Sequence, residues 1–419
     1  MPTHSTKLVS QDGAFETFLD FQRINLPTTQ ARHQGRHFLR AKINLKDYRC
    51  KAVIDKIDFE FACAAPTQRR YVQEEILKLF PRRNGKQHWV EVLSGSEASA
   101  AKFKVTLQDP DAAKLVELEE MLCNRFQKVG RSCVTEFEVS VDFYPKDQSE
   151  ESRARIVAVL QRHFLAKFDA FKNHLSHPRF VIDDPNDYAK GKSVYLMPWH
   201  EAYQSGSINV NGDADAWLTP EKSSQPFIDK IVYIGAGKDD VMIRIQNKTT
   251  NNRRGEVSES LSQNEKRARV EVRLRGNVLS TLGIYALDDV TVFDLGRLQS
   301  HYFHFALPSF ASGGRFPGHW AVCEYVNRRE EEFFRKVGLA GMQQVALARI
   351  ASRRKPAILG DRQSALGRLS KHFKDHGISR ARVRRGGGVH ERTAAFEELN
   401  SMVREALRNA TRKTRRRKR

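Results

Sequence analysis

Four segments of the chain alternate apolar residues with acids and bases in a way that could serve phosphate chemistry. They are KAVIDKIDFEF at 51–61, VTEFEVSVDFY at 134–144, VMIRIQNK at 241–248 and RARVEVRLR at 267–275. Their polar positions offer Asp58, Glu60, Glu136, Glu138, Asp142 and Glu271, and beside them Lys56, Arg244, Lys248, Arg269, Arg273 and Arg275. Carboxylate oxygens are hard donors that hold Mg²⁺ or Mn²⁺, and flanking bases neutralise phosphates. Phosphoryl transfer on DNA needs that combination. A solvated sheet face that pairs Glu with Arg across strands would alternate in the same way. Alternation alone does not say which strands are neighbours.

Other chemistries have weaker support. His174/His177 and His372/His376 have ligand-like spacing but lack a matching third ligand, so surface positions are the simpler reading. His301-Tyr-Phe-His304 places two residues between its histidines, where the two-histidine motif of many DNA-nicking enzymes has one. GAGK at 235–238 lacks the P-loop frame and reads as a turn. The five cysteines (Cys50, Cys63, Cys123, Cys133, Cys323) are odd in number and form no CxxC. That argues against a disulfide framework or a cysteine zinc site and fits a reducing compartment.

These polar faces must be positioned by elements that the pattern itself suggests. The four alternating segments read as half-buried strands, because every second residue is apolar. Further strands are expected at 88–93, 101–107 and 229–234, the last forming a hairpin with 241–247. Helices are expected at 68–80, 112–126, 150–171 and from 277 to 285. Residues 172–227 read as irregular, with weak strands at 193–197 and 207–210. Beyond 296 the pattern turns helical, at 324–334, 341–352 and 393–411, with a hinge at ARVRRGGGVHER. A look of helix–turn–helix at ALGRLSKHFKDHGISRARV carries no defensible base-reading residue.

The expected fold is therefore α+β, with a largely antiparallel sheet, helices on one face and charge on the other. A helical C-terminal region and a basic tail complete it. The divisions are a polar N-terminal extension (1–50), the α+β body (51–295), a helical region (296–380) and a basic helix and tail (381–419).

Composition narrows the partner. The 419 residues carry 71 Lys and Arg against 50 Asp and Glu, a net charge of +21. About half of it lies in residues 380–419, where 14 bases face four acids, and TRKTRRRKR, with Arg415, Arg416 and Arg417, reads as a solvated phosphate-attracting tail. Nucleic acid is the expected partner. No apolar run approaches the roughly 20 residues of a membrane span, and the start of the chain lacks a signal-peptide core. A cytoplasmic protein with no membrane partner is expected.

One stretch also has a family look. Tyr233-Ile234-Gly235, Arg244-Ile245-Gln246-Asn247-Lys248 and Arg269-Val270-Glu271 follow one another in the order of a Tyr-x-Gly strand, an Arg-Ile-Tyr-x-Lys strand and an Arg-x-Glu strand. In this the region 50–290 resembles the replication initiation factor family of plasmids and filamentous phages. The resemblance implies rolling-circle initiation in a bacterial cell: a metal-dependent endonuclease whose tyrosine attacks one origin strand and leaves a 3′-OH for a polymerase. A host helicase is a further implied partner. It implies Asp58, Asp142, Glu271 and Glu138 on the metal side, with Mg or Mn, and Arg244 and Lys248 on phosphate. Where the family carries its nucleophile this chain has Gln246, and an amide forms no stable phosphoester. That leaves Tyr233 and Tyr285 as alternative nucleophiles, or else a non-catalytic DNA-binding relative acting as regulator or assembly factor.

Overall fold

The structure, a computed structural model, describes residues 4–10, 12–25, 36–81, 88–166, 180–183, 194–195, 227–229, 231–235, 239–251, 259–311, 331–332, 334–343 and 393–416. The strands are β1 (His4–Val9), β2 (Glu16–Asn25), β3 (Arg36–Ala41), β4 (Tyr48–Thr67), β5 (Trp89–Ser96), β6 (Ser99–Gln108), β7 (Lys128–Pro145) and β8 (Phe180–Asp183). They continue with β9 (Val194–Tyr195), β10 (Ile231–Ile234), β11 (Val241–Lys248), β12 (Thr250–Asn251), β13 (Glu259–Ser260), β14 (Arg267–Arg275), β15 (Ala306–Ala311) and β16 (Thr393–Ala395). The helices are α1 (Arg69–Leu79), α2 (Leu115–Phe126), α3 (Glu150–His163), α4 (Asn277–Leu282), α5 (Leu287–Val292), α6 (Gln299–Tyr302) and α7 (Glu397–Arg416).

The fold is α+β. A nine-stranded antiparallel sheet runs β5-β6-β4-β7-β14-β11-β10-β8-β9, and a second sheet of five strands runs β1-β2-β3-β15-β16. On one face of the large sheet, Ile57, Phe137, Val139, Val141, Val270 and Val272 are fully buried. Helix α3 packs on β7, β11 and β14 from that side, and on β1, β2 and β15 from the other. A helix held between two sheets is buried over most of its surface, and from Ile156 on every residue of α3 is buried. Accordingly even Arg153, Gln161, Arg162 and His163 of α3 are buried. Its start is fixed locally, because the Ser149 hydroxyl accepts a hydrogen bond from the Ser152 amide at 3.0 Å.

Two long strands carry the site, and each is bent. Along β4 and β7 the register passes from Ile54↔Val139 to Lys56↔Glu138, leaving Asp55 as an extra residue. A second shift, between Asp58 and Phe59, leaves Thr135 extra on β7. Such bulges bend a strand and re-aim its side chains. Before the first bulge Arg49, Lys51 and Val53 share a face with Tyr144, Asp142 and Ser140; after it Lys56 and Asp58 share that face with Glu138 and Glu136.

Several expectations change. Residues 1–50 are no polar extension: three strands bring Leu8, Leu19, Phe21, Leu39 and Ala41 into the core of the second sheet. Their alternation is short and set among polar neighbours, so composition masks it. Helix α3 ends at His163 rather than at 171, where Phe164 turns extended and bridges Phe305. Residues 306–311 and 393–395, expected to be helical, pair as β15 and β16. The final helix runs to Arg416, so the backbone of Arg415 and Arg416 is helical where a free tail was expected. Within the helices expected at 324–334 and 341–352, residues 331–332, 334 and 341–343 are helical. The strand at 207–210, the hinge, the two paired-histidine sites and Arg417 lie outside the described residues.

Two buried polar groups tie these layers together, and each carries a measurable consequence. Asn400 of α7 accepts from the Phe305 amide (2.9 Å) and Gln299 (3.0 Å), and donates to the Phe305 carbonyl (2.8 Å). Asn400→Leu leaves the buried Phe305 amide without its acceptor and takes one partner each from Gln299 and the Phe305 carbonyl, and is expected to cost about 2–3 kcal/mol in urea unfolding. His163 donates from Nδ1 to the Ala306 carbonyl (2.9 Å) and accepts at Nε2 from the Ala41 amide (3.3 Å). That arrangement requires a neutral ring, and burial pushes its pKa down to about 4. Between pH 6.5 and 4 the unfolded chain therefore binds a proton that the folded chain does not. Stability is intact above pH 6.5 and falls with pH through this window, by about 3 kcal/mol near pH 4. Urea unfolding at pH 7 and pH 4.5 should show that extra loss in the wild type and not in His163→Gln; equal losses would contradict it.

Candidate functional site

The three segments that carry the family look are neighbours: β10 pairs with β11, and β11 with β14. Strand β14 in turn pairs with β7, and β7 with β4. Residues directly opposite in an antiparallel pair share a face, so the register lays out the charged side in rows. Glu138 lies opposite Lys56 and Arg273. In the next row Ser140 is opposite Glu271, Glu271 is opposite Arg244, and Arg244 is opposite Tyr233. Asp142, Arg269 and Gln246 form the row after that, and Tyr144, opposite Arg49, lies at its edge beside Arg267 and Lys248.

This face is neither a solvated ladder nor bare. Asp58, Glu136, Glu138, Asp142 and Glu271 are all buried, with 1–4% exposure. The side chains of Arg244, Arg275, Lys56 and Lys104 are 23–35% exposed. Short acids thus lie at the level of the sheet, beneath the longer bases that cover them. Burying a carboxylate demands such partners. Arg269 grips Asp142 through two nitrogens (2.6 and 2.9 Å) and Asp55 through a third (2.7 Å). Burial works against the Arg269 charge, but these two carboxylates outweigh it and raise its pKa. Arg275 pairs with Glu136, which also receives Lys56 at 2.9 Å.

Three carboxylates, each also paired with an arginine, form a group of their own. Asp55, Glu138 and Glu271 each offer an oxygen, and the three oxygens lie within 4.8 Å of one another. Asp55 continues the face of Lys51 and Val53, and the bulge lets Lys56 occupy the same face beside it. Between them on the same face sits Ser140, fully buried, its hydroxyl without a hydrogen-bond partner among the described residues. Three carboxylates and a hydroxyl are an all-oxygen donor set, which suits Mg²⁺ or Mn²⁺. Burial raises the pKa of Glu138, opposed by Arg244. Burial acts the same way on Asp55, but Arg269 and Arg244 overcome it and hold its pKa low.

The sequence-expected residues divide accordingly. Glu138 and Glu271 belong to the triad. Asp58 lies off it, bound by Lys104 (3.0 Å), Lys56 (3.2 Å) and the Thr106 hydroxyl (2.9 Å). Asp142 is held by Arg269 and by Arg267 at 3.1 Å. Arg244 bridges Glu138 at 2.5 Å and Glu271. Lys248 is pushed down to about 8, first by burial and then by Arg269. Burial, then Arg275, lowers the pKa of Arg273.

The tyrosines separate clearly. Tyr233 shares the charged face and lies two strands from Glu271, about 10 Å between backbones. Tyr285 sits between α4 and α5, its phenol donating to the Ser280 carbonyl at 3.1 Å. Helix α5 belongs to the apolar side, where Phe293, just beyond it, meets Phe137 edge-on. A third tyrosine, Tyr144, was missed by sequence reasoning. It lies under the guanidiniums of Arg49 (4.9 Å) and Arg267 (5.9 Å), and burial followed by the Asp142 charge raises its pKa. Asp55 was missed as well, although Asp55-Lys56 interrupts the alternation, which is the mark a bulge leaves in a sequence.

No family model matches the chain, and no curated protein matches it.

Proposed function

We propose that the charged face binds DNA and nicks one strand, as a replication initiation protein does at an origin. One observation carries the reading: Tyr233, Arg244 and Glu271 stand in a single row that ends at Ser140 and the triad. Three strands with the family look are thereby adjacent, and their chemistry-bearing residues share one face.

Asp55, Glu138 and Glu271, with Ser140 beside them, would hold a divalent ion, whose Lewis acidity polarises a phosphate oxygen. Tyr233 is the nucleophile of this reading. Its oxygen bonds to phosphorus as the bond from phosphorus to the 3′ oxygen breaks. The phenol proton passes to solvent, and the departing oxygen takes up a proton to become the 3′-OH. The 5′ phosphate stays on the tyrosine, and the 3′-OH would prime a polymerase. The half-exposed Arg275, Lys56 and Lys104 attract the flanking phosphates, and the helix ending in TRKTRR adds attraction that is blind to sequence.

A second reading has its own observation. Gln246 stands on the charged face opposite Arg269, buried, at the position of the family's tyrosine. A chain whose nucleophile was lost would keep the DNA-binding face and act as a regulator or assembly factor.

Purified protein, supercoiled DNA bearing its own gene and Mn²⁺, resolved on a denaturing gel, separate the two. Nicked DNA and a covalent protein–DNA adduct are expected. Salt-sensitive binding with neither product would leave only the second reading.

A further inference from the structure

We infer that Arg244 is the internal competitor of the metal site: its guanidinium and a divalent ion take the same carboxylate oxygens in turn. The inference rests on the metal reading above and concerns its regulation. Arg244 Nη2 lies 2.5 Å from Glu138 Oε1 and is paired with Glu271 as well, so it spans two of the three triad members. Their side chains are 4–5% exposed, whereas that of Arg244 is 29% exposed. The guanidinium therefore caps the triad from the solvent side. The third member, Asp55, is supplied with charge from elsewhere, by Arg269 at 2.7 Å.

Two cations cannot share these oxygens. An ion bound at a coordination distance of about 2.1 Å occupies the lone pairs that the guanidinium uses, and the two positive charges repel at short range in a site shielded from water. Ser140 supplies the independent sign that the triad is shaped for more than the arginine. Its buried hydroxyl lies opposite Glu271 and one strand position from Glu138, and it has no hydrogen-bond partner among the described residues. A guanidinium, which only donates, leaves the hydroxyl's acceptor lone pairs available to a cation.

The exchange also says where the arginine goes. Arg244 lies directly opposite Tyr233. Once displaced, its long side chain keeps its backbone position and turns outward on the Tyr233 side, where a phosphate would sit. Loading the ion thus releases a phosphate clamp beside the nucleophile, and a site without the ion keeps that clamp folded away. Arg244 is in this sense a positioning residue.

The test is Mn²⁺ binding to the full chain, without DNA, followed by electron paramagnetic resonance of the free ion. Arg244→Gln should bind Mn²⁺ at least about tenfold more tightly than the wild type. Arg267→Gln removes the same charge from the same face without touching the triad and should change affinity about twofold or less. Glu271→Gln should lose the site. Arg244→Gln binding no more tightly than Arg267→Gln would overturn the inference while leaving the metal site in place. Mn²⁺ binding that survives Glu271→Gln, or no binding in any variant, would overturn the metal reading and the inference with it. Arg244→Lys serves as a second variant: it keeps the charge but covers the triad less fully, and its affinity should fall between wild type and Arg244→Gln.

Discussion

Tyr233→Phe is expected to abolish the protein–DNA adduct and to reduce nicking on the order of 10³-fold or more, while leaving DNA binding at a given salt concentration unchanged. The size follows from the role: a group that forms the covalent intermediate has no partial substitute. The substitution is also a lenient one for the fold. It removes one oxygen from a half-buried strand residue and keeps the ring that packs in β10. Tyr285→Phe supplies the contrast. The residue is 59% exposed and its phenol is bonded to a carbonyl of α4 on the helix-covered side, so nicking should stay within about twofold. Loss of the adduct in Tyr285→Phe and not in Tyr233→Phe would reverse the assignment.

Arg269→Met is the substitution with the largest expected effect on stability, about 3–5 kcal/mol in urea unfolding. Arg269 is the hub of the charged face, joined to Asp142 by two hydrogen bonds and to Asp55 by a third, and is 5% exposed. Removing it takes from the buried Asp142 one of its two cations, leaving Arg267, and strips the partly exposed Asp55 of its closest base. The loss should therefore depend on pH. Arg269 is the main charge that holds the Asp55 pKa low against burial, so the gap between variant and wild type should narrow as pH falls from 7 toward 4. Arg275→Met, at the rim and 35% exposed, should cost far less, because water still reaches its site. Equal costs for the two would mean that the buried network adds nothing to stability.

Much of this fold could be read in the chain because period-two alternation is strong where one sheet face is apolar. The runs at 51–61, 134–144, 241–248 and 267–275 all became strands β4, β7, β11 and β14. The charged face is the other half of the same pattern. What alternation cannot carry is register, and register decided the site. Asp58 and Asp142 have the right residue type and the right face, yet the register sets them outside the group that Asp55, Glu138 and Glu271 form. Asp55 and Lys56 share that face only because of the bulge. The five-stranded sheet was hidden for a different reason: its strands come from distant parts of the chain, and β15 and β16 are only six and three residues long. Likewise α3 reads as one long helix, and the sheets on either side that bury its second half left no mark in the pattern.

The most direct test of the account is to locate the covalent bond. Wild-type protein is incubated with Mn²⁺ and supercoiled DNA carrying its gene, the DNA is digested to a short remnant, and the adducted peptide is sequenced by mass spectrometry. One nucleotide-bearing peptide, with its phosphate on Tyr233, is expected. A phosphate on Tyr144, Tyr285 or any other residue, or no adduct despite intact DNA binding, would contradict it.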